Sequence, residues 1–135
     1  MSTSNWPSFL DNPMSIYNQY DQEPDLNTCD LFYFLMDERG TSITLGFETP
    51  YMPQLGRHEW VSSGVNSYEF YLMFSEVTRL NITGWNGPAD KDITFRRGSN
   101  GDILARIESR GTSVSFQAES LSLIKSRVSL VSRND

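Results

Sequence analysis

At 135 residues and a net charge of −6, the chain can bury one substantial core, and it lacks the basic surplus that nucleic-acid binding requires. Eight Phe, six Tyr and three Trp supply much of the buriable area, at roughly 150–250 Å² each, which excludes disorder throughout. No apolar run approaches the ~20 residues that cross a bilayer, and the one cysteine, Cys29, excludes an intramolecular disulfide.

In chain order, Asp11-Asn12-Pro13 reads as a helix start, with Asn12 as N-cap and Pro13 in the first turn. Ile16, Tyr17 and Tyr20 then form a short apolar stripe that Pro24 closes. Leu31–Met36 is apolar on both faces, which predicts a strand covered on both sides. Asp37-Glu38-Arg39-Gly40 turns the chain into Ile43, Leu45 and Phe47, a period-two strand that completes a hairpin. Pro50 to Gly64 is the longest irregular stretch and carries Tyr51, His58 and Trp60.

Tyr68, Phe70, Leu72 and Phe74 alternate with Glu69, Tyr71 and Met73, a spacing no helix satisfies. The sheet continues through Val77–Ile82, and Ser75-Glu76 between them is a turn or a bulge. Gly84-Trp85-Asn86-Gly87-Pro88 turns. Ile93 and Phe95 form the next strand, and Ser99-Asn100-Gly101-Asp102 suits a type I′ hairpin. Ile103, Ala105 and Ile107, then Val114, Phe116 and Ala118, follow across Arg110-Gly111; Leu121, Leu123 and Ile124 precede a last strand at Val128 and Leu130. The expectation is a mainly β single domain over residues 1–135 (α+β at the margin) with one short N-terminal helix. Its antiparallel sheet forms a sandwich or a strongly curved, partly closed sheet, and residues 1–10 and 132–135 fray.

The residue inventory argues against an enzyme. His58 is the sole histidine, so no metal site has a ligand set, and a Cys29–His58 nucleophile pair is disfavoured because Asp30 beside Cys29 opposes a thiolate. The pairs Asp37-Glu38 and Asp90 with Asp92 fall at turns, where acids are ordinary, and no phosphate loop, dinucleotide glycine pattern or nucleophile elbow is present. No cofactor is expected. Loop aromatics Tyr51, Trp60 and Trp85 leave an intracellular small-ligand or carbohydrate-binding β module as the alternative reading.

Several stretches together resemble the immunity protein 50 family of bacterial polymorphic-toxin systems. They are Trp6, Asn12-Pro13 through Ile16-Tyr17, the hairpin Leu31–Phe47, a Pro-containing loop reaching Trp60, and Asn66 ahead of Phe70–Phe74. Val77, Leu80-Asn81-Ile82, Gly84-Trp85, Phe116, Leu121 and Leu123 follow. The resemblance runs from about Trp6 to Ile124, and Asn-Pro…Ile-Tyr and Leu-x-Ile-x-Gly-Trp are its most distinctive parts. It implies a protein that neutralises a cognate toxin by occlusion, without catalytic residues, and that needs neither nucleic acid nor a membrane as partner.

Charge suggests where such a partner docks. Residues 1–66 carry nine acids against Arg39 and Arg57, while the remainder is near neutral. The expected partner-binding set is Asp21, Glu23, Asp25, Asp37 and Glu38, imitating phosphate before a basic nuclease-type site, with Tyr20, Tyr51 and Trp60 as aromatic anchors. The start Met1–Pro7 has neither a basic segment nor an apolar one, so a cytoplasmic monomer or weak homodimer is expected.

Overall fold

The computed structural model describes residues 5–53, 64–85 and 91–130. Among them, eight strands make two antiparallel four-stranded sheets around a shared apolar core. The strands are β1 (Asp30–Asp37), β2 (Ser42–Thr49), β3 (Ser67–Ser75), β4 (Thr78–Thr83), β5 (Asp92–Arg97), β6 (Ile103–Ser109), β7 (Thr112–Ala118) and β8 (Ser120–Ser129). The first sheet runs β1-β2-β3-β8 and the second β4-β7-β6-β5, so the mainly β sandwich expected from the alternation is what forms.

The central strand β3 explains the packing. Tyr68, Phe70, Leu72 and Phe74 are all buried on its inner face, as their period of two requires. Phe70 stacks between Phe47 and Trp6, with centroids at 5.5 and 5.4 Å, and Phe74 meets Phe95 and Phe116 edge-on across the sandwich at 5.3 and 4.9 Å. Ser75-Glu76 proves to be a corner: Glu76 takes a positive φ of 53° and the chain passes from β3 in one sheet to β4 in the other. β7 makes the same crossing into β8 beside it, tied by the Glu119 N–H donating to the Ser75 carbonyl at 3.0 Å. Of the two arrangements the alternation allowed, the two-sheet sandwich is the one that forms.

Four expectations need correction. Residues 6–10 do not fray: Trp6, Phe9 and Leu10 are buried, and the Trp6 indole donates to the Pro24 carbonyl at 2.8 Å. The helix α1 is only Met14–Tyr17, and Asn12 does not cap it with its side chain. Instead the Asn12 carboxamide donates to the Leu123 carbonyl and accepts from the Leu123 N–H, both at 3.1 Å, acting as a strand-like neighbour of β8. The β5–β6 turn is not type I′, because only Gly101 has positive φ (89°); a three-residue loop closes on Gly98 N–H to Asp102 O. Finally, β1 is not covered on both sides. It lies at the edge of its sheet, and Phe32, Tyr33, Leu35 and Met36 are 45, 40, 47 and 49% exposed.

Candidate binding surface

The outer faces of the two sheets differ in chemistry. On the second sheet Thr94, Arg96, Arg106, Glu108, Ser115 and Gln117 line a shallow polar hollow, and Arg106 pairs with Glu108 at 3.3 Å. On the first sheet the register carries one row from Tyr33 through Gly46 and Tyr71 to Lys125, and a second from Leu35 through Thr44 and Met73 to Ser122. Tyr71 makes edge contacts with Tyr33 and Phe32 at 5.5 and 5.8 Å, and the Lys125 ammonium sits 4.4 Å from its ring centroid. Gly46 is what lets that ring lie flat on the sheet. A Cβ there would stand 2.7 Å from the Tyr33 Cβ and 2.8 Å from Tyr71 Cε2, closer than atoms pack. Next to this row the Glu69 carboxylate holds Arg127 through contacts of 3.0 and 3.4 Å.

The inner side of β1 is also open. Phe34 and Met36 stand beside Leu45 and Ile43 in the register, but the core closes over the latter pair and leaves the former at a groove of about 570 Å³. Ile82 and Trp85, at the edge of the other sheet, form the opposite wall, with Trp85 5.3 Å from Phe34 and the Lys91 ammonium 5.3 Å from its ring. Gly84 sets Trp85 in place: its φ is +70°, and a Cβ would collide with the Gly111 carbonyl oxygen. An apolar strip of β1 is thus presented on two sides.

The described residues expected to bind a partner fall before β1 and at its far end, and one of them is buried. Tyr20 is buried, and its hydroxyl donates to the Tyr51 carbonyl at 2.6 Å, which makes it a core side chain and not a surface anchor. Tyr51 is exposed, tilts over Tyr20 at 5.2 Å and donates to the Gln22 carbonyl at 3.0 Å. Asp25 accepts from the Asn27 N–H at 3.0 Å and caps the turn Leu26–Thr28. Asp21 is exposed and Glu23 half-buried; all three acids precede β1. Asp37, the last residue of β1, and Glu38 just past it are exposed, with Asp37 about 23 Å along the strand from Asp30. Trp60, and the Cys29–His58 pairing, lie outside the described residues.

Nor do reactive groups converge among the described residues. Burial pushes the Cys29 thiol up to about 12, against a lowering by hydrogen bonds with Thr49 and Thr28, and Asp25 and Asp30 add smaller upward pushes. Glu69 lies within β3 and Glu76 at the corner past its end, so about 20 Å of extended strand from Glu69 to Ser75 separates them, against the ~5–10 Å of paired catalytic carboxylates. Among the described residues no three His, Cys, Asp or Glu gather as a metal site, and no helix is long and apolar enough to cross a membrane. Sequence reasoning missed the β1 strip, Tyr71, Lys125 and the groove. The two-faced apolarity of Leu31–Met36 was the available signal, but it reads equally as an interior strand.

Fold and surface together define a two-sheet β-sandwich whose distinctive chemistry lies on an exterior aromatic face and an open strand edge. The chain belongs to the immunity protein 50 family, whose model matches residues 12–129. The resemblance drawn from Asn12-Pro13, Leu80–Trp85 and the strands between thus holds, while Trp6 precedes the matched span. No curated protein and no solved structure matches the chain.

Proposed function

We propose that this protein is an immunity protein that binds a cognate bacterial toxin domain and neutralises it by covering its active site, without chemistry of its own. Membership of the immunity protein 50 family over residues 12–129 carries the reading. Its support in the structure is an exposed aromatic and apolar surface around Tyr33, Leu35 and Tyr71, the composition that dominates contact interfaces. Acids toward both ends of β1, with Asp21 and Glu23 before it, Asp37 as its last residue and Glu38 just after it, favour a basic partner and speed its approach. Action in the cytoplasm follows from that role.

The test is co-expression. The C-terminal domain encoded by the neighbouring open reading frame is induced in a host with and without this chain. Toxicity that the chain relieves, together with a stable complex on purification, supports the reading. A non-toxic neighbour, or toxicity this chain leaves untouched, sinks it. The steering component is separate. Charge reversal at Asp37 and Glu38 should slow association several-fold at low salt and little at high salt.

A further inference from the structure

Each edge of a sheet exposes a row of unpaired backbone groups, and soluble proteins defend such edges. Among the described residues two of the four edges are clamped by a side chain, and a third is short and carries a positive φ. Along β8, Leu10 bridges to Leu121, Asp11 donates to the Leu121 carbonyl at 2.8 Å, and the Asn12 carboxamide engages both backbone groups of Leu123. Along β5 the same device recurs. The Asn27 carboxamide accepts from the Ile93 N–H at 2.7 Å and donates to the Ile93 carbonyl at 3.3 Å. β4 is six residues long, and its pairing is interrupted between Thr78 and Asn81, where Arg79 takes a positive φ of 56°.

Among the described residues no side chain clamps β1 in this way. It runs eight residues without Lys, Arg or Pro, its centre is Leu31-Phe32-Tyr33-Phe34-Leu35-Met36, and among the described residues no strand pairs with its outer side. Its one irregularity is the register shift at Phe32. The strand has the composition of a sheet interior and the position of an edge.

We infer that β1 is the docking edge for an extended segment of the toxin, which adds a strand beside it. Its side chains contact Tyr33 and Leu35 on one face and enter the groove lined by Phe34, Met36, Ile82 and Trp85 on the other. The inference rests on the immunity reading and specifies its surface. Charge selects the occupant. β1 begins at Asp30 and ends at Asp37, so a second copy pairing all eight residues antiparallel sets Asp30 against Asp37 at both ends, an unfavourable like-charge opposition. A foreign segment with an apolar centre and Lys or Arg at its ends meets complementary charge at the same two positions. Backbone bonds then supply affinity, and alternate side chains supply specificity.

The test uses the full chain and an inactivated form of the neighbouring gene's toxin domain. Amide exchange by NMR reads β1 directly, because alternate N–H groups point to β2 and the others point outward. In the complex the outward set should slow at least tenfold. Leu35→Lys and Met36→Lys place an edge-guarding charge on exposed positions; each should weaken binding at least tenfold with an unchanged melting temperature. The variant Asp30→Lys, altered at an exposed acid, should weaken it similarly and serves if a lysine at 35 or 36 disturbs folding. Tight binding with unchanged β1 exchange and wild-type affinity in these variants overturns the inference while the immunity reading stands. If the wild-type chain neither binds the domain nor relieves its toxicity, both fall. Slow outward amides in an isolated chain that sediments as a dimer assign the edge to a second copy and also overturn it.

Discussion

The carboxamide of Asn27 offers a direct measure of how this fold guards its edges. Asn27→Ala removes the bond from the Ile93 N–H at 2.7 Å, the bond to the Ile93 carbonyl at 3.3 Å and a weak contact with Asp92 Oδ1 at 3.4 Å. The side chain is half-buried, so water restores these partners only in part. At ~0.5–1.5 kcal/mol net for each of the two backbone bonds, plus part of the penalty for stranding a donor, the loss is about 2 kcal/mol. For a chain of this size that lowers the melting temperature by roughly 6–10 °C. Asn27→Asp keeps the acceptor but loses the donor, and it sets a second carboxylate beside Asp92. Its deficit should therefore exceed that of a neutral loss at pH 7 and shrink at pH 4. Differential scanning calorimetry at both pH values, with light scattering to follow association through the exposed β5 edge, makes the measurement. A melting temperature within 1 °C of wild type for Asn27→Ala would refute the assignment of this residue as an edge clamp.

Three other outcomes are expected. With its thiol pushed up from 9.0 to about 12, Cys29 carries about a thousandfold less thiolate at neutral pH than an ordinary cysteine. Iodoacetamide should label it correspondingly slowly in the folded chain and at the normal rate in urea. Burial raises Cys29, Tyr20 and Tyr68 alike, so the folded chain stays protonated where the unfolded chain ionises. Stability is thus intact below pH ~8.5 and falls by up to ~1.4 kcal/mol per pH unit above it, more steeply past pH ~10 as the tyrosines join. Urea midpoints at pH 8, 9.5 and 10.5 test the order of that decline. Gly46→Ala should destabilise by about 1–3 kcal/mol, because the new Cβ meets Tyr33 Cβ at 2.7 Å. In an open strand the same change stabilises, so a gain in the urea midpoint refutes the close approach.

How much of this was legible depended on whether a residue's neighbours are local. Period two in Tyr68–Phe74 fixed the buried face of β3, since alternation is a property of the strand itself. The Asn-Pro start was visible but misassigned. A side chain that caps a helix and one that clamps a strand 111 residues away are chemically identical, and only tertiary geometry places Leu123 beside Asn12. Tyr20 looked like a contact residue because Tyr is common at interfaces, yet its hydroxyl had a backbone partner in Tyr51, 31 residues on. Positive φ at Glu76 could not be read, because that residue type rarely adopts it; the corner is imposed by two strands changing sheets together. The greatest misreading was β1, where composition alone cannot separate a strand covered by this chain from one left for another.

The energetics of β1 also bound what its partner must do. Covering the exposed half of four side chains that are each worth ~1.5–3 kcal/mol when fully buried gives about 3–6 kcal/mol. A few backbone bonds add ~0.5–1.5 kcal/mol each. Association costs ~4–15 kcal/mol, so pairing along β1 alone comes out near zero. Two like-charge oppositions subtract up to about 2 kcal/mol more from self-pairing in the full eight-residue register. A nanomolar complex needs about −12 kcal/mol, and a toxin strand on β1 cannot supply that by itself. The remainder must come from contacts beyond the edge, and Tyr71 with Lys125 above it continues the Tyr33 row across the same face. A toxin that pairs with β1 and reaches Tyr71 covers a contiguous surface, and truncating Tyr71 should then weaken binding without altering β1 exchange.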